Sequence, residues 1–200
     1  MTIQNMTLGH GAVLGDRFLG RAGERSPFHT LAAVLGGSLL LWVSAKAKVD
    51  LGAVPVTLQS LAVLGLGAAL GPRLAALAVL TYLAQGALGL PVFAGTPEKG
   101  IGLGYMLGPT GGYLVGFLLA AVTIGKLAER GADRNTFTMF LAMLAATATI
   151  YVPGLLWLSA FVGFSKAVTL GFVPFVWGDL IKAALAAVAF PAVWSVLKRI

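Results

Sequence analysis

Cysteine is absent from the 200 residues, which excludes disulfides, thiolate metal sites and cysteine nucleophiles. Charge is scarce as well. Only 10% of residues are charged and 58% are hydrophobic, whereas an ordinary soluble domain is about a quarter charged. A soluble fold of this length cannot hide so much apolar surface in one core. Histidine occurs twice: His10 precedes the apolar runs and His29 stands at the edge of the first. Serine–histidine proteolysis within a bilayer therefore lacks its base. Metal-dependent hydrolysis lacks a ligand cluster, because Asp179 is the only carboxylate inside an apolar span. No G-x-x-x-x-G-K-[ST] phosphate loop is present, so ATP hydrolysis by that device is excluded. The expectation is a protein that is not an enzyme and needs neither cofactor nor metal.

What the chain has is length without charge. Residues 51–72, 74–97, 100–125, 135–165 and 183–197 contain no Asp, Glu, Lys or Arg. All but the last reach the roughly 17–25 residues that a helix needs to cross a hydrocarbon core. The pattern predicts an all-α integral membrane protein of six transmembrane helices: 29–46, 55–72, 74–90, 109–126, 136–160 and 176–197. Residues 1–28 lack an apolar core followed by a cleavage pattern, so they do not read as a secretory signal. They read as a cytoplasmic arm, or an amphipathic helix on the membrane, ahead of one domain at 29–200.

An even number of spans puts both termini on one side. With the termini in the cytoplasm, Arg17, Arg21, Arg25, Arg73, Lys126, Arg130, Arg134, Lys198 and Arg199 lie inside, and Lys46, Lys48, Lys99 and Lys166 outside. That bias follows the positive-inside rule and explains the net charge of +7 without nucleic acid. The location expected is the cytoplasmic (inner) membrane. Small residues recur every fourth position at Gly108, Gly112 and Gly116 and at the overlapping pairs Ala32/Gly36 and Ala33/Gly37. Such spacing lets helices approach closely, either within the bundle or against a partner.

Polar groups at membrane depth are costly, about 2.5–3.5 kcal/mol for a charge at a helix centre. In FVPFVWGDLIKAALAAVAF, residues 172–190, Asp179 and Lys182 are three apart and share a helix face. Pro174 and Gly178 suggest an irregular entry to that span. The pair either neutralises itself near the interface or forms a ligand site. Thr57, Gln59, Tyr82, Gln85, Tyr113 and Tyr151 fall in the same outer leaflet, which favours the ligand site. Directly above lies GLPVFAGTPEKGIGLGYMLGPTGGY, residues 89–113, with eight glycines and three prolines. Irregular backbone at membrane depth is tolerated where it is buried in protein or lines a cavity. Segment 91–108, the Gly/Pro-rich outer loop between helices 3 and 4, thus reads as a lid, with an ordinary outer loop as the alternative.

PVTLQSLAVL at 55–64, LGPRLAALAVLTYLAQGALGLPVFAG at 70–95, LGPTGGYLVGF at 107–117 and VPFVWGDLIKAALA at 173–186 resemble the BioY family of biotin transporters. The resemblance covers roughly residues 30–197. It implies the substrate-binding (S) component of an energy-coupling factor (ECF) transporter, with a transmembrane coupling protein and ATPase subunits as partners. It also implies high-affinity capture of biotin, as substrate rather than cofactor. The family motif maps directly onto Asp179 and Lys182. Biotin offers two ureido N–H donors, a carbonyl, an apolar thioether ring and a carboxylate. Asp179, Gln59 or Gln85 would meet the ureido group, Tyr82, Phe93, Tyr113 and Tyr151 would wall the pocket, and Lys182 or Lys99 would take the carboxylate. Ala32/Gly36 or Ala33/Gly37 would dock the coupling protein. A different vitamin, or a purely structural membrane protein, is the alternative. Function alone, as a homo-oligomer or with ATPase partners stays open.

Overall fold

The computed structural model describes residues 12–20, 24–49, 54 and 56–197. Outside the described residues lie 1–11 and 21–23 of the expected arm, with His10 and Arg21, as well as Pro55 and the terminal Lys198 and Arg199. A short helix α1 (Asp16–Leu19) precedes α2 (Pro27–Lys46). Ser26 opens α2 by accepting from the His29 N–H at 3.3 Å, and Pro27 fills the first turn, where its missing N–H costs nothing. A two-residue antiparallel pairing of β1 (Lys48–Val49) with β2 (Val56–Thr57) leads into α3 (Gln59–Ala87). After a turn-rich stretch come α4 (Gly102–Met106), α5 (Gly111–Glu129) and a 3-10 turn at Ala132–Arg134. Asn135 caps α6 (Thr136–Val162) by accepting from Phe137 and Thr138 N–H groups. Gly163, at φ 81°, ends that helix before α7 (Phe164–Gly171) and α8 (Val173–Leu197).

Five of these helices, α2, α3, α5, α6 and α8, are long and apolar enough to cross a membrane. The protein is an all-α, multi-pass membrane bundle. The two spans expected at 55–72 and 74–90 both fall in α3, which is interrupted at Gly71 (φ 79°, ψ 172°). Glycine occupies that region without the Cβ penalty, and Pro72 has no N–H to continue the ladder. The two halves fold back on each other. A Cβ at Gly37 would stand 2.8 Å from Ala78 Cβ and 3.5 Å from Leu66 Cδ2, yet twelve residues of unbroken helix would hold those side chains about 18 Å apart.

Alanines line many of the helix contacts, and several neighbouring leucines and valines face outward. Ala120, Ala121, Ala142, Ala146, Ala183 and Ala187 are buried, while Leu119, Leu141, Leu185 and Val188 are exposed. Lipid is as apolar as leucine, so close van der Waals contact, not apolar burial, holds such helices together. The glycine stripe of α5 serves this packing: a Cβ at Gly112 would meet Pro153 O at 2.3 Å, and one at Gly116 would meet Ile150 Cα at 2.7 Å. The expected irregular entry at Pro174 and Gly178 is not found. Helix α8 runs through both, with Pro174 in its first turn, and the irregularity falls earlier, at Gly163 and Phe172.

The described part of the amino-terminal segment packs on the Gly71 end of the bundle. Ala12, Val13 and Leu14 are buried, and the Gly15 N–H donates to Ala69 O at 2.7 Å. Arg134 donates to Ala12 O at 3.3 Å and stands 5.1 Å over the Trp194 ring. Asp133 beside it is fully buried and accepts from Trp194 Nε1. Burial pushes its carboxyl pKa above the ordinary range, against the opposing effects of the Trp194 donor and of Arg134.

Candidate ligand-binding site

The starts of α3, α5 and α8 and the later part of α6 meet at the end opposite Gly71 and enclose a pocket. Its cavity volume is about 70 Å³, several times what one water needs. Gln59 and Ser60 enter from α3, Phe93 from the turn-rich stretch, Tyr105 from α4, Tyr113 and Phe117 from α5, Tyr151 from α6, and Asp179 from α8.

Asp179 is the electrostatic centre and is 8% exposed. Its Oδ1 accepts from Ser60 Oγ at 3.2 Å and from Lys182 Nζ at 3.1 Å, and its Oδ2 accepts from the Tyr151 hydroxyl. Lys182 donates also to Thr57 O at 3.0 Å and to Ser60 Oγ at 2.8 Å, so all three of its N–H bonds are engaged. The local reason is helical: residues three apart on α8 share a face, and the first turn of α3 packs on that face. Thr57 shapes that turn, since its Oγ1 accepts from the Gln59 N–H at 3.1 Å. One turn therefore places Thr57, Gln59 and Ser60 against α8.

Gln59 contrasts with this saturated network. It is 3% exposed, lines the pocket, and its Nε2 has no hydrogen-bond partner. A buried donor left unmade costs about 1–3 kcal/mol, and this amide lies against the buried Tyr82 hydroxyl at the edge of the pocket. The walls are aromatic. Tyr113 and Tyr151 meet edge to face at 6.4 Å, and Phe93 stacks on Tyr105 at 5.0 Å with 13° between planes. The Tyr113 hydroxyl donates to Gly171 O at 2.8 Å, directing the ring into the bundle. Phe93 fits because residue 86 is glycine: a Cβ there would lie 2.0 Å from Phe93 Cζ.

Five of the residues expected from the sequence, Asp179, Gln59, Phe93, Tyr113 and Tyr151, line this pocket. Lys182 stands behind Asp179. Tyr82 stands behind Phe93, edge-on at 5.4 Å, with its hydroxyl donating to Val92 O at 3.2 Å. Gln85 turns toward α2 and donates to Ser38 Oγ at 3.3 Å, which makes it a bridge between helices. Lys99 is exposed on the loop. Of the small residues on α2, Gly37 is buried against α3, Ala33 is half-buried, and Ala32 and Gly36 are exposed, with nothing within 4 Å of a Cβ built at Gly36. Ser60 and Tyr105 escaped the sequence reading. Ser60 was legible as the neighbour of Gln59 at a helix start, whereas nothing local marked Tyr105. Among the described residues, no three His, Cys, Asp or Glu side chains gather as a metal site.

A helical membrane bundle with a small pocket of aromatic rings around a carboxylate defines a membrane-embedded binder of a small molecule. Residues 21–199 match the BioY family, and the chain belongs to that family. A biotin transporter BioY of Thermotoga maritima is 46% identical over 150 residues, covering 74% of this chain and 85% of that relative. A probable biotin transporter BioY of Pyrococcus horikoshii is 43% identical over 146 residues, covering 73% and 84%. Among solved structures, the S-component for biotin from an ECF-type ABC transporter superposes with a TM-score of 0.70. The two share 26% identity across 84% of this chain and 92% of that one. These relatives are named as transporters, not enzymes.

Proposed function

We propose that this protein captures biotin from outside the cell and carries it inward as the S component of an ECF-type transporter in the cytoplasmic membrane. The observation that carries the reading is the pairing, within one aromatic pocket, of the Asp179 carboxylate with the unpartnered Nε2 of Gln59. An ionised carboxylate offers about four acceptor sites, and Ser60, Lys182 and Tyr151 take three of them. The fourth accepts a ureido N–H while Gln59 donates to the ureido carbonyl. Lys182, fully engaged, orients Asp179 rather than meeting the ligand. The valerate then points to the opening, where Lys99 takes its carboxylate. Tyr113, Tyr151 and Phe93 enclose the thioether ring, and Tyr82 backs Phe93.

The fold-back at Gly71 makes α3 two crossings, hence six in all and both termini on one side. Arg17, Arg25, Arg73, Lys126, Arg130 and Arg134 belong to the Gly71 end, and Lys46, Lys48, Lys99 and Lys166 to the pocket end. The positive-inside rule then turns the pocket outward. Segment 91–108 closes over it as a lid. Transport energy comes from a coupling protein and ATPase subunits. Ala32/Gly36 is the pair left open for the coupling protein, because Ala78 and Leu66 already fill the space at Gly37.

Ligand-induced thermal shifts of the purified protein, measured across biotin, thiamine, riboflavin and their precursors, test this reading. Biotin alone should raise the midpoint at micromolar concentration. A shift with another vitamin reassigns the substrate; no shift with any favours a structural role. Proteolysis within 91–108 should slow when biotin is present, and equal cleavage removes the lid.

A further inference from the structure

Helix α2 ends at Lys46, on the pocket side of the bundle. Its ammonium donates to Phe93 O at 2.9 Å, to Thr96 O at 3.0 Å and to Thr96 Oγ1 at 3.2 Å. Three oxygens of one turn thus converge on the ammonium, in charge-assisted hydrogen bonds stronger than neutral ones. The turn is closed from within as well: Thr96 Oγ1 donates to Phe93 O at 2.7 Å, and the Gly95 N–H donates to the Tyr105 hydroxyl at 3.2 Å. Two residues beyond Lys46, Lys48 stands 4.0 Å from Glu98. The end of α2 therefore ties the turn-rich segment at 93–96, and Lys48 of β1 adds a loose, exposed ion pair at 98. What it holds is Phe93, a pocket wall with no exposed surface.

We propose that Lys46 is a positioning residue for ligand retention, latching segment 93–98 and its Phe93 wall over the pocket. Lys46 does not itself line the pocket, so its loss should speed escape of the bound molecule without slowing entry. The proposal rests on the biotin reading above.

The test uses the full chain in lipid nanodiscs, with labelled biotin and stopped-flow or filter kinetics. Lys46→Met should dissociate about threefold to tenfold faster, at or below the low end for a hydrogen bond to a charged group because the lysine is exposed. Association should stay within about twofold of the parent, as is usual for changes at one site. Lys46→Arg, which keeps charge and donors, should fall between the two. Without ligand, trypsin should cut after Lys99 faster in Lys46→Met than in the parent. Should Lys46→Met fail to fold, Thr96→Val removes one acceptor and repeats the measurement. Unchanged dissociation, or association slowed as much as dissociation is sped, overturns the latch and leaves biotin binding standing. If the parent does not bind biotin, that reading fails on its own. Ligand-free cleavage then decides the latch, and equal rates overturn it.

Discussion

Removing Lys182 alone should damage this protein more than removing Lys182 and the Asp179 charge together. The two side chains are 12% and 11% exposed and lie 3.1 Å apart. At an effective dielectric of about 20, that separation is worth about 5 kcal/mol of attraction before desolvation is counted. Desolvation offsets much of this, so the pair contributes little net stability. Breaking it by deleting one partner strands a buried charge, at a cost of about 3–5 kcal/mol. Lys182→Met should therefore lower the melting midpoint strongly, and Asp179→Asn less, because the amide keeps an acceptor for Tyr151 or Ser60. The double variant Asp179→Asn/Lys182→Met should recover part of the loss, with a coupling of at least about 1 kcal/mol. None of the three should bind biotin tightly, since the acceptor charge or its orientation is gone. Melting in detergent with and without biotin, beside labelled-biotin binding, reads both quantities. Single effects that sum to within about 0.5 kcal/mol of the double would refute the buried-pair reasoning. Parental affinity in both single variants would return the pair to a purely structural role.

Gln59→Leu removes a buried amide whose Nε2 has no partner; ligand-free stability should hold or rise by about 1 kcal/mol while biotin affinity falls about tenfold or more. Melts with and without ligand check both, and a parallel loss of stability and affinity would count against the donor role. Gly86→Ala places a methyl 2.0 Å from Phe93 Cζ. Displacing that ring should cost about 1–3 kcal/mol and weaken biotin binding; parental affinity by titration would contradict the account of the Phe93 wall. Asp133 carries a raised pKa in the fold, so its neutral form is favoured and stability is lost as pH rises through that value. Asp133→Asn keeps an acceptor for Trp194 and cannot ionise, so its midpoint relative to the parent should climb from pH 4 to pH 8. A flat difference would refute the shift.

The span limits were legible because charge deserts and helix lengths are local properties. The expected 136–160 became Thr136–Val162, and 29–46 became Pro27–Lys46. Asp179 and Lys182 were legible as a pair, since three residues along a helix fix a shared face whatever surrounds it. Tyr82 and Gln85 show the limit. Both stood at the right depth, but rotation of the helix about its axis turned Gln85 to Ser38 on α2 and Tyr82 behind Phe93. Depth follows from position along the chain; azimuth depends on which neighbour packs there.

The sequence by itself determined a membrane bundle, the end that carries the polar groups and the residue types available there, because hydropathy and helical periodicity act over a few turns. Tertiary structure decided which of those groups share one space. It brought Ser60 to Asp179 across 119 residues, and Lys46 to Phe93 across 47. Contacts of that range are set by how glycine and alanine faces let whole helices approach. No local pattern encodes the result.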